Sequence, residues 1–389
     1  MSHHNISFSK EEIERYSRHL IIPEFNIEGQ KKLKSSSVLV IGSGGLGSPL
    51  LLYLAAAGVG RIGIVDFDTV DVSNLQRQVL FGIQDVGVSK VVAASKRLES
   101  LNPHISIEVH DTMFTVDNAR ELVKQYDVVA DGTDNFPTRY LVNDACVLED
   151  RVNVYASIFR FEGQASVFNQ LLPDGTRGPN YRDLFPSPPP PGIVPSCAEG
   201  GVIGVLPGIL GSLQALEVLK VISGIGDTLS GRLFLFDATG FTTRILKVRK
   251  NKNNPLNGEN PTQTKLINYE QFCGIDRKSE QPREVAKISV SILHKWRKEG
   301  VNHLLIDVRE PYEYGIAEIG GELIPLATVL ESTDRIPKDI PVVVQCRSGA
   351  RSANAIRKLE DTHGYTNLVN LTGGILGWQE EIDSSLARY

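Results

Sequence analysis

The residues Val38-Leu39-Val40-Ile41 run directly into Gly42-Ser43-Gly44-Gly45-Leu46-Gly47, and a helical stretch over 50–57 follows, closed by Gly58. A short, continuous apolar run with β-branched residues predicts a buried strand. The G-x-G-x-x-G spacing predicts a tight turn whose backbone N–H groups, at a helix N-terminus, accept close approach of a phosphate. A second strand over 61–66 ends in Asp66, placed to accept hydrogen bonds from a ribose. Further alternation continues this pattern, with helices expected over 90–101 and 116–125 and strands over 105–109 and 127–131. Strands alternating with helices predict an α/β fold, a Rossmann-like doubly wound and largely parallel sheet.

The texture changes at Pro188 to Pro191, four consecutive prolines that favour an exposed extended spacer. A long helix over 206–222 and a strand over 233–237 follow. The segment IDRKSEQPRE is polar, charged and proline-containing, which marks an inter-domain linker. Beyond it the chain has its own βα pattern, with strands at 304–307 and 342–346 and a helix from about Ser352. The expected division is a first domain over 1–275, a linker over 276–286 and a smaller α/β domain over 287–389. With 389 residues and 41% hydrophobic content, two ordinary cores are available. A net charge of −5 offers no broad cationic surface, so no nucleic-acid partner is expected. No apolar stretch reads as spanning a bilayer, and the N-terminus lacks a signal-peptide region, so a cytoplasmic location is expected.

The charges near the glycine turn point beyond a generic nucleotide site. Arg77 follows the second strand, Lys90 begins the next helix, and Asp134 and Asn135 follow the acidic strand end at Asp131. Arginine and lysine compensate a triphosphate, and a carboxylate can hold its magnesium; a nicotinamide enzyme has no use for that carboxylate. Together with RYSRHLIIPEF, GSGGLGSP, DFDTVDVSNLQRQ, GVSK, DGTDN and RFEGQASVF, these residues make the chain resemble the MoeB/ThiF adenylyltransferases, relatives of the ubiquitin-activating enzymes. The resemblance covers most of residues 10–270. It implies an ATP site built from Gly45, Asp66, Ser73, Asn74, Leu75, Gln76, Arg77, Lys90, Asp134 and Asn135, with Asp134 holding magnesium. It also implies a homodimer in which Arg18 reaches the ATP bound by the second copy. The implied substrate is a ubiquitin-like sulfur carrier ending in Gly-Gly, whose terminal carboxylate attacks the α-phosphate. Many relatives bind structural zinc through two Cys-x-x-Cys pairs. Here Asn180 and Asp183 stand in the first pair and Asn254 and Asn257 in the second, so no zinc is expected.

Cys346 follows a strand and opens the loop Cys346-Arg347-Ser348-Gly349-Ala350-Arg351 before a helix. Backbone N–H groups, a helix N-terminus and Arg351 are the features that stabilise a thiolate or persulfide. Cysteine phosphatases place five residues between Cys and Arg; four stand between them here, so the cradle is tighter. With IDVREPYEY, QCRSGARS and LTGGILGW, the second domain resembles rhodanese sulfurtransferases, which implies that Cys346 carries the persulfide. Asp307 and Arg309 read first as scaffold. Cys197, after the proline spacer, matches a family cysteine. By resemblance it forms a thioester or acyl-persulfide with the carrier or resolves a disulfide, and sulfur transfer does not require it. Cys146 reads as core and Cys273 as passive. The domain order resembles MoeZ-type fusions, implying an adenylyltransferase and sulfurtransferase fed by thiosulfate or a cysteine desulfurase. The carrier and its pathway, molybdenum cofactor biosynthesis among them, stay open. Two rival readings remain: a conjugating activator using Cys197 for a carrier thioester, and a nucleotide-binding scaffold with a non-catalytic second domain.

Overall fold

A computed structural model describes residues 6–190, 200–274 and 283–389. The chain divides into two units, Met1–Asp276 and Arg277–Tyr389. In the first, helices α1 (Lys10–Leu20) and α2 (Asn26–Ser35) precede β1 (Ser37–Ile41), α3 (Gly47–Ala57), β2 (Arg61–Asp66), α4 (Lys90–Leu101) and β3 (Ser106–Asp111). Then come α5 (Ala119–Lys124), β4 (Val128–Asp131), α6 (Phe136–Leu148), β5 (Val152–Phe159), β6 (Glu162–Phe168) and the short α7 (Tyr181–Leu184). The unit closes with α8 (Val205–Ser223), β7 (Arg232–Asp237), β8 (Thr242–Lys247) and α9 (Tyr269–Phe272).

The eight strands lie in the order β3-β2-β1-β4-β5-β6-β7-β8. The first five are parallel, with register such as Ile41 beside Val65 and Asp131, and β5 to β8 pair antiparallel. Connections leave β1 in one direction and β4 in the other. The carboxyl ends of β1, β2 and β4 therefore open a crevice at that reversal, where doubly wound sheets bind ligands. Every residue of β1 is buried, as its unbroken apolar run requires.

The helix expected over 116–125 forms only over Ala119–Lys124, because the Asn118 side chain accepts the Thr115 N–H at 2.9 Å and ties the preceding residues into a turn. The expectation that no apolar stretch reaches spanning length needs correction. α8 has 19 residues, and an 18-residue stretch of it reaches a mean hydropathy of 1.6, long and apolar enough by composition. One face of it packs on the sheet: Gln214, fully buried, donates to the Asp131 and Val154 carbonyls at 2.8 and 2.7 Å, and buried Glu217 accepts the Leu229 N–H.

In the second unit β9 (Lys287–Ile288), α10 (Val290–Glu299), β10 (Leu304–Asp307), α11 (Pro311–Tyr314) and β11 (Glu322–Leu323) precede β12 (Val342–Gln345), α12 (Ala350–His363), β13 (Leu368–Leu371) and α13 (Gly374–Glu381). Their all-parallel sheet has the order β11-β10-β12-β13-β9. The packed structure of this unit begins before residue 287: Val285 is 5% exposed in its core, and the Ala286 carbonyl accepts the Asn370 N–H. The helix expected from Ser352 starts at Ala350, which brings Arg351 and Ser352 into its first turn.

Candidate functional site

The glycine turn after β1 is fixed by close packing. Gly42 takes φ +89°, and a Cβ on Gly47 would stand 2.0 Å from the Gly42 carbonyl oxygen. Ser43 donates through both its N–H and its hydroxyl to Asp66 Oδ2 at 2.8 Å, joining the turn to the end of β2. Asp66 Oδ1 accepts the Asp68 N–H. The turn forms one wall of an open cleft lined by Gly45, Asp66, Asp68, Arg77, Lys90, Asp134, Asn135 and Arg139, among others.

Lys90 is 5% exposed and reaches Asp68 Oδ2 at 2.9 Å. Arg77 is held by the Ser73 carbonyl at 3.0 Å. Asn135 caps α6 by accepting the Thr138 N–H, and Asp134 beside it is exposed. Ser73, Asn74, Leu75 and Gln76 are outside this lining and form the turn that carries Arg77: the Ser73 hydroxyl donates to Asp71, and Asn74 Oδ1 accepts the Asp71 N–H. Arg18 is exposed on α1, also outside the cleft lining.

Two cleft residues escaped the sequence reading. Asp68, within the motif that follows β2, is the ion-pair partner of Lys90. Arg139, on α6, is buried and extends beneath the cleft, with its guanidinium over the rings of Phe136 and Tyr155 and a hydrogen bond to the Thr133 carbonyl. Its Nε and Asp131 Oδ2 are buried without a hydrogen-bond partner. Burial pushes the Asp131 carboxyl up, against the pull of Arg139. An N–H left unpartnered under a ligand cleft is the kind of group a bound anion satisfies. Among the lining residues three cations (Arg77, Lys90, Arg139) face three carboxylates (Asp66, Asp68, Asp134). The cleft is thus close to neutral, and a polyphosphate needs added positive charge there.

The positions of the expected missing zinc site come together. Asn180 Nδ2 donates to Asn257 Oδ1 at 2.9 Å, and Asn254 Nδ2 donates to Asp183 Oδ1 at 2.7 Å and to Asn180 Oδ1 at 3.2 Å. Three amides and one carboxylate satisfying one another do not fit tetrahedral zinc, which takes thiolates and imidazoles. Beside them Asp144 and Arg182, 0% and 2% exposed at the side chain, pair at 2.7 Å, and Asp144 also accepts from Gln263 and the Tyr269 hydroxyl. Cys146 and Cys273 are both buried free thiols, and burial pushes Cys273 up to about 11.

In the second unit β12 delivers Cys346 into its loop. The thiol is 1% exposed, and its Sγ accepts the Gly349 N–H at 3.1 Å. The loop carbonyls are held from the other side: the Ile375 and Leu376 N–H groups at the start of α13 donate to Cys346 and Arg347 oxygens. This approach requires glycine at 374, where a Cβ would lie 2.3 Å from the Cys346 carbonyl. Arg351 forms a bidentate pair with Glu313 on α11, both contacts at 2.7 Å. Burial raises the Glu313 carboxyl, yet the Arg351 hydrogen bonds and the Glu310 N–H outweigh it and hold it below the usual carboxylate range. Asp307 and Arg309 form a fully buried ion pair, consistent with a scaffold. Cys197 lies outside the described residues.

The fold and its two sites define a class. Residues 16–257 match the model of the ThiF family, and residues 289–381 match that of the rhodanese-like domain. The chain belongs to the ThiF family and carries a rhodanese-like domain as its second unit. It is 48% identical over 98% of its length to the probable adenylyltransferase/sulfurtransferase MoeZ of Mycobacterium tuberculosis, covering 97% of that protein. It is 41% identical to the adenylyltransferase and sulfurtransferase MOCS3 of Mus musculus, covering 98% of this chain and 88% of that one. A sulfur carrier protein adenylyltransferase of Thermus thermophilus matches 69% of this chain at 53% identity, over 99% of its own length. Like its full-length relatives, the chain is an adenylyltransferase and sulfurtransferase. Among solved structures, Escherichia coli MccB shares the fold with a TM-score of 0.55 at 19% identity, over 66% of this chain and 76% of that one.

Proposed function

We propose that the chain adenylates the C-terminal glycine of a ubiquitin-like sulfur carrier with ATP and converts it to a thiocarboxylate with sulfur carried on Cys346. The carrier carboxylate attacks the α-phosphate, forming the acyl-adenylate and releasing pyrophosphate. Arg77, Lys90 and Arg139 compensate charge that develops on the phosphates, the dominant need of such a step. Asp66 orients the ribose, and Gly45 lets the backbone approach the nucleotide. Magnesium enters with ATP: Asp134 is an exposed oxygen donor of the kind magnesium prefers, and the ion would supply charge neutralisation at the phosphates. The near-neutral lining supports this reading, and it equally supports a homodimer in which Arg18 of one copy adds a cation to the cleft of the other. Val205 and Leu216, exposed on α8, and Tyr53, exposed on α3, offer apolar surface for that dimer.

The Cys346 thiolate takes sulfane sulfur from thiosulfate or a cysteine desulfurase. The resulting Cys346–S–S⁻ attacks the acyl carbon and expels AMP, giving an acyl disulfide. A second thiol, Cys197 or an external one, then attacks the Cys346 sulfur, releases the thiocarboxylate and leaves Cys346 in a disulfide with that thiol for reduction. The observation that carries the reading is the Cys346 cradle, a buried sulfur held by a backbone amide at a strand-to-helix turn, on one chain with the nucleotide cleft. A cytoplasmic location, where both ATP and reductant are supplied, fits this cycle.

The test combines the protein with ATP, a Gly-Gly carrier and thiosulfate, and weighs the carrier by mass spectrometry. Exchange of one oxygen for sulfur is expected; an unchanged carrier with each Gly-Gly carrier tried overturns the reading. Asp134→Ala is expected to lower carrier-dependent ATP–pyrophosphate exchange by about 10²-fold or more, and full exchange would remove Asp134 from the site. The same reading includes a zinc-free fold. Metal analysis of purified protein is expected to find no stoichiometric zinc, and prolonged chelation is expected to leave the melting temperature unchanged.

A further inference from the structure

Behind Cys346 two polar side chains converge that the proposed cycle has not used. Ser352, fully buried in the first turn of α12, has its hydroxyl 3.3 Å from Cys346 Sγ and 2.6 Å from Asn370 Oδ1. Asn370, on β13, donates through Nδ2 to the Gly349 carbonyl at 3.0 Å, and the Gly349 N–H is the amide that reaches Sγ. Val344 of β12 lies beside Asn370 in the register, so the sheet fixes this partner relative to the loop. One hydroxyl hydrogen thus faces two acceptors.

We propose that Ser352 is a catalytic hydroxyl that donates to the Cys346 sulfur when that sulfur is anionic, and that Asn370 positions it and accepts its hydrogen when the sulfur is not. The proposal rests on Cys346 as the sulfur carrier. While the thiol is protonated, Ser352 donates to Asn370 and its oxygen can accept from S–H. When the proton leaves, the hydroxyl hydrogen turns to the thiolate, because a hydrogen bond to an anion is stronger than one to a neutral amide oxygen. The thiolate then attacks the outer sulfur of thiosulfate. A new S–S bond forms, the S–S bond of thiosulfate breaks, and sulfite departs with the electron pair. Negative charge moves from Sγ to the outer sulfur of Cys346–S–S⁻, and the hydroxyl hydrogen returns to Asn370. The hydroxyl adds to the field of Arg351, which lies within charge reach of Cys346 while paired with Glu313.

Other charges surround this loop and stay constant in the test: Arg347 and Arg351 within it, Glu313 on α11, the Asp307–Arg309 pair, and Tyr389, whose hydroxyl bonds Arg309 and whose backbone oxygen accepts from Arg347. The experiment follows iodoacetamide alkylation of the Cys346 peptide of the full chain by mass spectrometry from pH 5 to 10. Ser352→Ala is expected to move the midpoint up by about one pH unit and to slow thiocyanate formation from thiosulfate and cyanide about tenfold at neutral pH. Ser352→Thr, which keeps the hydroxyl, is expected to restore both. The effect of Asn370→Ala on the midpoint is expected to shrink by about half or more in the Ser352→Ala background. An unmoved midpoint in Ser352→Ala, or no recovery in Ser352→Thr with an unchanged melting temperature, overturns the hydroxyl role. Fully additive effects overturn the positioning by Asn370. A wild-type chain that forms no thiocyanate and accepts no sulfur from a desulfurase overturns the sulfur-carrier reading instead, since the alkylation profile needs no sulfur donor.

Discussion

Replacing Cys346 by alanine is expected to abolish carrier thiocarboxylate, a loss of at least ~10³-fold, while carrier-dependent ATP–pyrophosphate exchange stays at the wild-type rate. The two readouts separate because the first unit holds every residue assigned to the nucleotide, from Gly45 to Arg139, and the sulfur loop belongs to the second. No other described thiol can substitute. Cys146 is fully buried and burial raises its thiol strongly, and Cys273 is buried and likewise raised. A thiol held mostly protonated is a poor nucleophile. Alanine removes only the sulfur, and the loop backbone stays held by the Ile375 and Leu376 N–H groups. Thiocarboxylate formation that survives Cys346→Ala with thiosulfate as donor would refute the persulfide role. Loss of both readouts would show that the two activities are not separable in the way proposed.

The second large effect is on stability. Asp144→Ala is expected to destabilise the first unit by about 3–5 kcal/mol, which lowers its melting temperature on the order of 10 °C. Asp144 is completely buried and accepts from Arg182, Gln263 and Tyr269 together. Removing it strands the Arg182 guanidinium in the interior beneath the Tyr140 and Phe272 rings. The cost is that of an unpaired buried charge, not the worth of the ion pair itself. Replacing both partners, Asp144→Leu with Arg182→Met, is therefore expected to cost less than Asp144→Ala alone. Thermal unfolding of the three proteins at one pH checks this, and a double variant less stable than the single one would contradict it.

Four of the five parallel strands of the first sheet were readable, and β5 was not; β1 and β2 are short apolar runs ended by glycine or acid, and α3 is closed by Gly58 in a left-handed conformation. β8 was not, since all six of its residues are exposed and an exposed edge strand carries no alternating pattern. The site divides in the same manner. Glycine spacing and the residues at strand ends announce Gly45, Asp66, Lys90 and Asp134. Asp68 and Arg139 take their meaning from partners that only folding supplies: Lys90 is 22 residues from Asp68, and the rings of Phe136 and Tyr155 sit under Arg139. Ser352 was visible in the loop motif as a letter. Its relation to Asn370, 18 residues away, depends on the pairing of β12 with β13. The bidentate pairing of Arg351 with Glu313 was likewise invisible in the loop spacing, since Glu313 lies 38 residues away.

The ring of Asn180, Asp183, Asn254 and Asn257 has a consequence for traffic inside the protein. A persulfide hands its outer sulfur to whatever thiolate it meets. Four thiolates at those positions would be competing acceptors on the same chain, and their oxidation would eject the ion that held them. Amides and a carboxylate neither accept sulfur nor oxidise. With four cysteines in 389 residues, and two of them buried in the core of the first unit, sulfur carried on Cys346 in the proposed cycle would meet few other thiols.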